Sequence, residues 1–600
     1  MTIRGDTQPE LLLLFNRHTA DLAKFNGDLA AAVASLPDAG VNGGRVMVRR
    51  GDYPLAALAS LPSKIEIEGL GPGASIFIHP AGSTYPLLDL NGKSGVKIGG
   101  IGFAKAVGAA LSGSAYSIRI RGNANDIEID DVIGDGGIET IHVAGQDGTT
   151  PGTVTNLHLR RVRARNSPSL WGFGFDECDR VLLEGCHAEG HRLDGYKLRR
   201  KAKRVTLRDC NGIGNGVGAV GDGLDAYAGG NTLRIFGGDW SGNTGNGITI
   251  KTDSLSATGA ATYGYVEKGL VHGVTAIGNG GNGVGVYPYY SGPTPTPTPN
   301  AETDPTTPLV ALFTVSDCYA EGNTNYGYYL GGWGVVGSNL RAVANGLDGI
   351  YLTPRSRHLT LRDPICLGNS RTTANTRYGI YVADGANYIT IAGGLIQGVH
   401  ASGVVDEAAI AALTKYHRTN IYVEDGADHV LIDRVREAYS VQAQGIQTWG
   451  GAGLDQVVHY HPGASNPSAA FGGTGAFGGI GSTWTRSDAT LSANAVWTKT
   501  SGLPNAPTAG WTVQVGELIG QTTYDWPSIA NGAHATTTVT VTGAVLIDIA
   551  TASLGRDLQG MQMTAYVSSA NTVTVVLYNA TGAAVDLISG TLTVLVAKVV

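Results

Sequence analysis

Asp194-Gly-Tyr-Lys-Leu198, Asp222-Gly-Leu-Asp-Ala226, Asn246-Gly-Ile-Thr-Ile250 and Asp348-Gly-Ile-Tyr-Leu352 are four copies of one phrase. Each sets a polar residue before Gly and then alternates apolar positions with outward ones. Further copies begin at Trp171, Asn282, Tyr326 and Tyr378, so the phrase runs from about Trp171 to Ala383. A second signal fixes the register. Asn243, Asn279, Asn323 and Asn345 each stand four residues before the glycine, and His191 holds that place in its own copy. The repeat is 22 residues from Asn323 to Asn345 and 24 from Cys186 to Cys210. Repeats of that length mark a solenoid, and this one has room for three short strands but not for a helix. Between the phrases lies another alternation, as in Val205-Thr-Leu-Arg-Asp-Cys210. The pattern predicts an all-β chain, a right-handed parallel β-helix with a short N-terminal helical cap and a C-terminal β-sandwich-type domain.

Strand parity then sorts the side chains. The first and third residues after each Gly are apolar and point inward; the second and fourth point outward. Stacked coils therefore build outward columns on one face. From 171 to 251 those positions are charged, and further along they are aromatic.

Composition agrees. The chain has 600 residues with 89 Gly, 7% aromatic and 15% charged residues. Gly without a collagen period fits a turn-dense all-β protein. A net charge of −7 and the lack of a basic run argue against nucleic acid as a partner. The start reads neither as a signal peptide nor as a membrane span. The expectation is a soluble protein made in a cytoplasm. Cys186, Cys210 and Cys318 recur at one place in their coils, with Cys366 close to it, as a ladder of small buried residues. No CxxC spacing points to a metal, and no cofactor is expected.

In chain order, residues 9–35 hold two helical stretches, one starting at Asp28 and stopped by Pro37. Gly43-Gly-Arg-Val-Met-Val-Arg-Arg-Gly-Asp-Tyr-Pro54 follows, then Ile65-Glu-Ile-Glu-Gly-Leu-Gly-Pro-Gly73. This order resembles the opening of the pectate-lyase-like superfamily, as found in phage tailspikes and capsule depolymerases. Insertions at 252–268 and at Ser291–Pro308, the second a stiff Pro-Thr segment, leave the coil just after the strand with the outward columns. A short helix is expected from Asp406 and a Gly-rich linker at 472–481. The Trp-containing stretches from 481 to 522 look like the short β module that often follows a phage β-helix. Asp525-Trp-Pro-Ser-Ile-Ala-Asn-Gly-Ala533, with Thr-rich strands after it, resembles C-terminal domains of phage tail proteins. The expected domains are 1–40 (cap and attachment), 41–450 (β-helix), 451–522 (linker and β module) and 523–600 (β-sandwich). The resemblance implies a homotrimer in the virion tail. Its N-terminal segment would attach to the phage tail or baseplate, its C-terminal domain would serve trimerisation or carbohydrate binding, and its target would be a bacterial surface polysaccharide.

The charged columns supply the chemistry. Glycoside hydrolysis uses two carboxyl groups, one protonated and one ionised. Asp194 and Asp222 hold the same place in successive coils, and Asp225 lies on a plainly outward position, so these three are the catalytic candidates. Close like charges raise one carboxyl's pKa, which keeps an acid available at neutral pH. Trp171, Asp176, His191, Lys197, Arg199, Tyr227, Lys251, Tyr287, Tyr329 and Tyr351 are the substrate-binding candidates. The phrases Asp194-Gly and Asp222-Gly, with Gly247-Ile-Thr-Ile-Lys251, are similar to those of polygalacturonase-like hydrolases, but Asn246 stands where that family has the His of Gly-His-Gly. Asp-Gly is also an ordinary turn dipeptide. A lyase acting by β-elimination, with Lys197, Tyr227, Lys251 or His191 as base, is a rival chemistry. A non-enzymatic tail adhesin that recognises glycan is the alternative from another class.

Overall fold

The computed structural model describes residues 19–37, 42–55, 59–146, 150–199, 201–227, 232–251, 266–288, 310–372, 376–399, 416–424, 427–438, 446–448, 457–463, 483–486, 496–499, 511–515 and 517–597. Residues 1–18, the expected helix at 406–415, the Pro-Thr insertion, most of the 252–268 insertion and the linker at 472–481 lie outside them. The chain divides into two compact units, Met1–Asp428 with Arg436–Gln447, and His429–Val435 with Thr448–Val600.

The first unit is a parallel β-helix. It opens with the strand Thr19–Asp21, a 3-10 turn Leu22–Phe25 and the helix Leu29–Ala34. Asp28 caps that helix by accepting the Ala31 N–H at 2.9 Å. Leu22, Leu29 and Ala32 are buried on its inner side. Each coil beyond contributes one strand to a front sheet. Leu88–Asn91, Ile118–Arg121, Ile141–Ala144, Phe173–Asp176, Tyr196–Arg199, Leu224–Tyr227, Ile248–Lys251 and Val284–Tyr287 pair in parallel, one onto the next. Tyr328–Trp333, Ile350–Arg357, Ile380–Val382 and Ile421–Val423 continue the stack. Parity holds as predicted: Tyr196, Leu198, Leu224, Ala226, Ile248, Ile250, Ile350 and Leu352 are all buried. Inside, Phe173 and Tyr196 stack with centroids 4.7 Å apart.

In the described coils from Asp126 to Gly368, three left-handed residues mark the corners. They fall at 180, 185 and 190, then at 204, 209 and 214, at 268, 273 and 278, and at 312, 317 and 322. In those coils the two arcs between corners are each five residues long. Variation sits in the third arc, which carries the front strand: 14 residues from Gly190 to Arg204, 26 from Gly242 to Lys268, 34 from Gly278 to Leu312. Leu312, His358 and Tyr388 hold the left-handed corner without being glycine, at a cost of roughly 1–2 kcal/mol each.

A buried ladder locks the coils. The Asn215 N–H and Nδ2 donate to Asn243 Oδ1 at 3.0 and 2.9 Å, Asn243 to Asn279, Asn279 to Asn323, Asn323 to Asn345 and Asn345 to Asn369. Ser167 begins the ladder, donating its N–H to His191 Nδ1; the His191 N–H donates to Asn215, and His417 ends it, accepting the Asn369 N–H at Nε2. Burial lowers both imidazole pKa values to about 4, so both rings are neutral. All five cysteines are buried and free, as expected of a core ladder.

The second unit ends in two three-stranded antiparallel sheets. One joins Glu517–Tyr524, Gly590–Ala597 and Ile549–Leu554; the other joins His534–Thr540, Thr572–Tyr578 and Gln562–Ser569. They share one core of Trp526, Val539, Val575, Leu577, Leu592 and Val594, as in a sandwich.

Candidate active site on the front sheet

Lys197, Asp225 and Thr249 are register partners in three successive coils, each at the outward second position after the Gly. Sign alternation follows from the stacking: side chains of neighbouring coils lie ~4.8 Å apart, so like charges would repel. Lys197 Nζ donates to Asp194 Oδ2 at 3.0 Å and also to Asp225 Oδ2. Lys251 Nζ lies 3.2 Å from the same Asp225 oxygen. The other Asp225 oxygen, Oδ1, is buried with no hydrogen-bond partner.

The residues before the glycines form a second ladder. The Asp222 N–H donates to Asp194 Oδ1 at 2.8 Å, and the Asn246 N–H to Asp222 Oδ1 at 2.6 Å. Asn246 and Asn282 pass the same bond on to Asn282 and Tyr326. Strict alternation would turn these side chains inward; instead each lies in the wall and holds the next coil's amide. Asn serves in this place, so a carboxylate there adds a charge the ladder does not require.

Three carboxylates thus share one spot. Asp194, Asp222 and Asp225 are all buried and offer oxygens within 4.8 Å of one another. Burial, then Asp225 and Asp194, push the Asp222 pKa up to about 6. Burial also raises Asp194, although Lys197 opposes it. For Lys197 and Lys251 burial is the largest single influence and acts downward, yet the surrounding carboxylates together outweigh it and hold both ammonium groups above the usual lysine value. The spacing would suit a cation, but the two ammonium groups already sit on Asp225. The arrangement offers a carboxyl with a raised pKa (Asp222), a second carboxyl with an unpartnered oxygen (Asp225) and two fixed ammonium groups.

No family model and no curated protein sequence matches the chain. Among solved structures, the tailspike protein of E. coli bacteriophage HK620, in complex with a pentasaccharide, is similar over all of this chain and 97% of that one, at 11% identity and a TM-score of 0.47. The Azotobacter vinelandii mannuronan C-5 epimerase AlgE4 A-module is similar over 72% of this chain and 98% of that one, at 14% identity and a TM-score of 0.36. The pre-mature bacteriophage phi29 gene product 12 is similar over 76% of this chain and 56% of that one, at 14% identity and a TM-score of 0.43. The fold itself rests on the chain's own strand pairing.

The other residues singled out from sequence fall into four groups. Asp176 and Arg199 meet in a two-bond pair at 2.9 and 2.7 Å, and the Arg199 guanidinium lies over the Trp171 ring at 4.3 Å. One face of that indole is therefore covered. His191 is wholly buried in the Asn ladder and does not reach the front surface. The tyrosines stack on each other: Tyr329 on Tyr351 at 5.1 Å, and Tyr351 on Tyr381 at 4.9 Å, with planes within 7°. Tyr287 meets Tyr329 edge-on at 4.8 Å. Rings packed this way turn their faces to one another, leaving edges rather than flat platforms for a ligand. Tyr227 continues the fourth outward position, in register with Lys251.

Sequence reasoning passed over Glu139 and His142. Glu139 holds the pre-glycine place of its coil, but Thr140 stands where other coils have Gly, so the phrase is not recognisable there. The Tyr116–Ser117 pair one coil earlier hides the place in the same way.

Proposed function

We propose that the chain is a tailspike-like depolymerase that cleaves a bacterial surface polysaccharide by glycoside hydrolysis on the front sheet. The observation that carries this is the carboxylate trio. Asp222 is pushed up to about 6 beside Asp225, whose Oδ1 has no partner. In this reading Asp222 Oδ2 gives its proton to the leaving glycosidic oxygen, and Asp225 activates the attacking water. Lys197 and Lys251 fix Asp225 and bind acidic substituents. The acid must be protonated, so the rate falls as pH rises through about 6.

The lysines bear on the rival elimination chemistry. A lysine base needs a lowered pKa, and both are held above the usual value, so Lys197 and Lys251 are poor bases. The adhesin reading is favoured by one observation, the structural duty of Asp194 and Asp222 in the amide ladder. We assign the homotrimer and attachment to the phage tail to the same reading. Leu546, Ile547 and Ile549 expose 69, 68 and 62% of their surface in the C-terminal sandwich, which suits burial against further copies.

The test is an assay on purified capsule and lipopolysaccharide from candidate hosts. It follows new reducing ends and the ultraviolet absorbance of unsaturated uronides together, for the natural chain and Asp225→Asn. Reducing ends without absorbance, lost in the variant, support the hydrolase. Absorbance rising with the ends means elimination. Binding without either signal leaves the adhesin.

A further inference from the structure

The front sheet carries a second titratable pair, three coils before Asp225, that the carboxylate trio does not use. Glu139 is completely buried. Its Oε2 lies 2.8 Å from His142 Nδ1, and its Oε1 has no hydrogen-bond partner. His142 sits in the outward column between Arg119 and Gly174. Its ring stacks on Tyr116 with centroids 4.1 Å apart and planes 10° apart, and the side chain is 15% exposed.

Each contact restricts the imidazole. Tyr116 fixes its plane. Burial raises the Glu139 pKa and His142 opposes it; with Glu139 ionised, its carboxylate at Nδ1 makes that nitrogen the donor, so in the neutral ring Nε2 is a bare acceptor. Gly174 leaves room for the carboxyl: a Cβ there would come within 2.7 Å of Glu139 Oε2. The surrounding charges are already matched. Arg119 and Arg121 both bind Asp89, and Arg199 binds Asp176. None of them draws the imidazole into another ion pair.

We propose that His142, positioned by Glu139, is a sugar-binding subsite whose Nε2 accepts a hydrogen bond from a hydroxyl of the polysaccharide. The proposal rests on the reading that the front sheet binds polysaccharide, but not on which residues cut it. At a strand spacing of ~4.8 Å the subsite lies about 14 Å from Asp225, so one glycan chain lying along the sheet spans both. His142 touches the sugar; Glu139 acts through it.

Two measurements test this on the full chain. In a 15N-histidine-labelled protein, with His142→Gln used for assignment, the neutral His142 ring carries its proton on Nδ1. Glu139→Ala loses that preference, and Glu139→Gln, which keeps a carbonyl acceptor, retains it. A ring protonated at Nε2 in the natural chain overturns the proposal. The second measurement is retardation in gels containing purified capsule or O-polysaccharide from the host panel, in an Asp225→Asn background. His142→Phe keeps the stack on Tyr116 and weakens retention roughly 3- to 10-fold, as loss of one hydrogen bond would. His142→Gln, which keeps an acceptor, weakens it less and shows that the loss is not one of folding. Unchanged retention in His142→Phe overturns the subsite. Cleavage that persists in Asp225→Asn while His142→Phe still binds weakly sinks the catalytic reading and leaves the subsite standing. A chain retained by no polysaccharide of the panel overturns both.

Discussion

The coils from Asp194 to Lys251 and those from Tyr326 to Tyr422 share one sheet and one register, yet they are held together in opposite ways. Parallel stacking places the same position of successive coils ~4.8 Å apart. Identical aromatic rings accept that spacing, and Tyr329, Tyr351, Tyr381 and Tyr422 stack with centroids 4.9 to 5.4 Å apart. Tyr326 and Tyr378 fill in beside them. In the outward column the charged coils alternate Lys197 with Asp225 and bring in Lys251 from the next outward position, whereas Asp194 and Asp222 stack as like groups one place earlier, each with its pKa raised. The stacked rings satisfy one another; the charges do not quite close, and Asp225 Oδ1 is left over. An unclosed network is where a ligand gains most, whereas a closed stack serves as scaffold.

The largest expected effect separates the two halves directly. Asp225→Asn lowers release of reducing ends by at least ~100-fold, the usual contribution of a positioned proton-transfer group. Tyr351→Leu removes a ring from the middle of the stack and lowers the thermal midpoint, but leaves the rate below that midpoint within a few-fold. The assay is run on one polysaccharide preparation for both. A Tyr351→Leu loss as large as that of Asp225→Asn would erase the distinction between scaffold and site.

Beneath both halves runs the Asn ladder, and its removal harms them equally. Asn279→Ala takes away the acceptor for the Asn243 N–H and Nδ2, and the donor to Asn323. Buried groups left unpaired cost about 1–3 kcal/mol each, so a destabilisation of roughly 2–5 kcal/mol is expected. Thermal unfolding with far-ultraviolet circular dichroism reads it. If the midpoint fell only for the charged coils, as hydrogen exchange would reveal, the ladder would not be the shared brace.

How far these features could be read in the sequence depends on what side-chain chemistry each one demands. Alternation after the glycines is enforced by burial, so the front strands and their inward residues were legible from Tyr196-Lys-Leu198 and its copies. The ladder was legible because Asn alone supplies an acceptor and donor in the same small amide, and its spacing to the glycine is constant in the coils without loops. Asn215 and Asn369 escaped because loops separate them from Gly223 and Gly379. The corners were not legible: Arg180, Leu312 and Tyr388 adopt the left-handed conformation although nothing in their chemistry asks for it. Asp225 was legible as outward-facing and Asp194 and Asp222 as equivalent places in successive coils, but the ladder duty of the latter two emerges only from backbone direction at the glycine. Stacked tyrosines read as a sugar platform until ring planes are known. Glu139 and His142 were hidden by a single residue, Thr140, in the place of Gly.

The smallest effect turns on the aspartate that the aromatic half shares with the charged one. Asp348 holds the pre-glycine place among the tyrosines, completely buried. Its Oδ1 accepts the Tyr378 N–H at 2.6 Å, and its Oδ2 has no partner. Burial pushes its pKa up to about 7, although the Tyr378 hydrogen bond opposes this. The unfolded chain ionises this group near pH 4, while the folded chain keeps it protonated until about 7. Between those values the unfolded state binds fewer protons, so stability falls as pH rises from about 4 to about 7 and is then flat. Asp348→Asn retains the acceptor for Tyr378, as Asn246 and Asn282 do for their neighbours, and removes the titration. The variant matches the natural chain at pH 4 and exceeds it at pH 8, by on the order of 1–4 kcal/mol. Thermal midpoints for both chains at half-unit steps across that range decide the matter. Parallel curves would mean that folding does not raise the Asp348 pKa, and that above pH 4 the aromatic half, like the charged one, carries a buried ionised carboxylate.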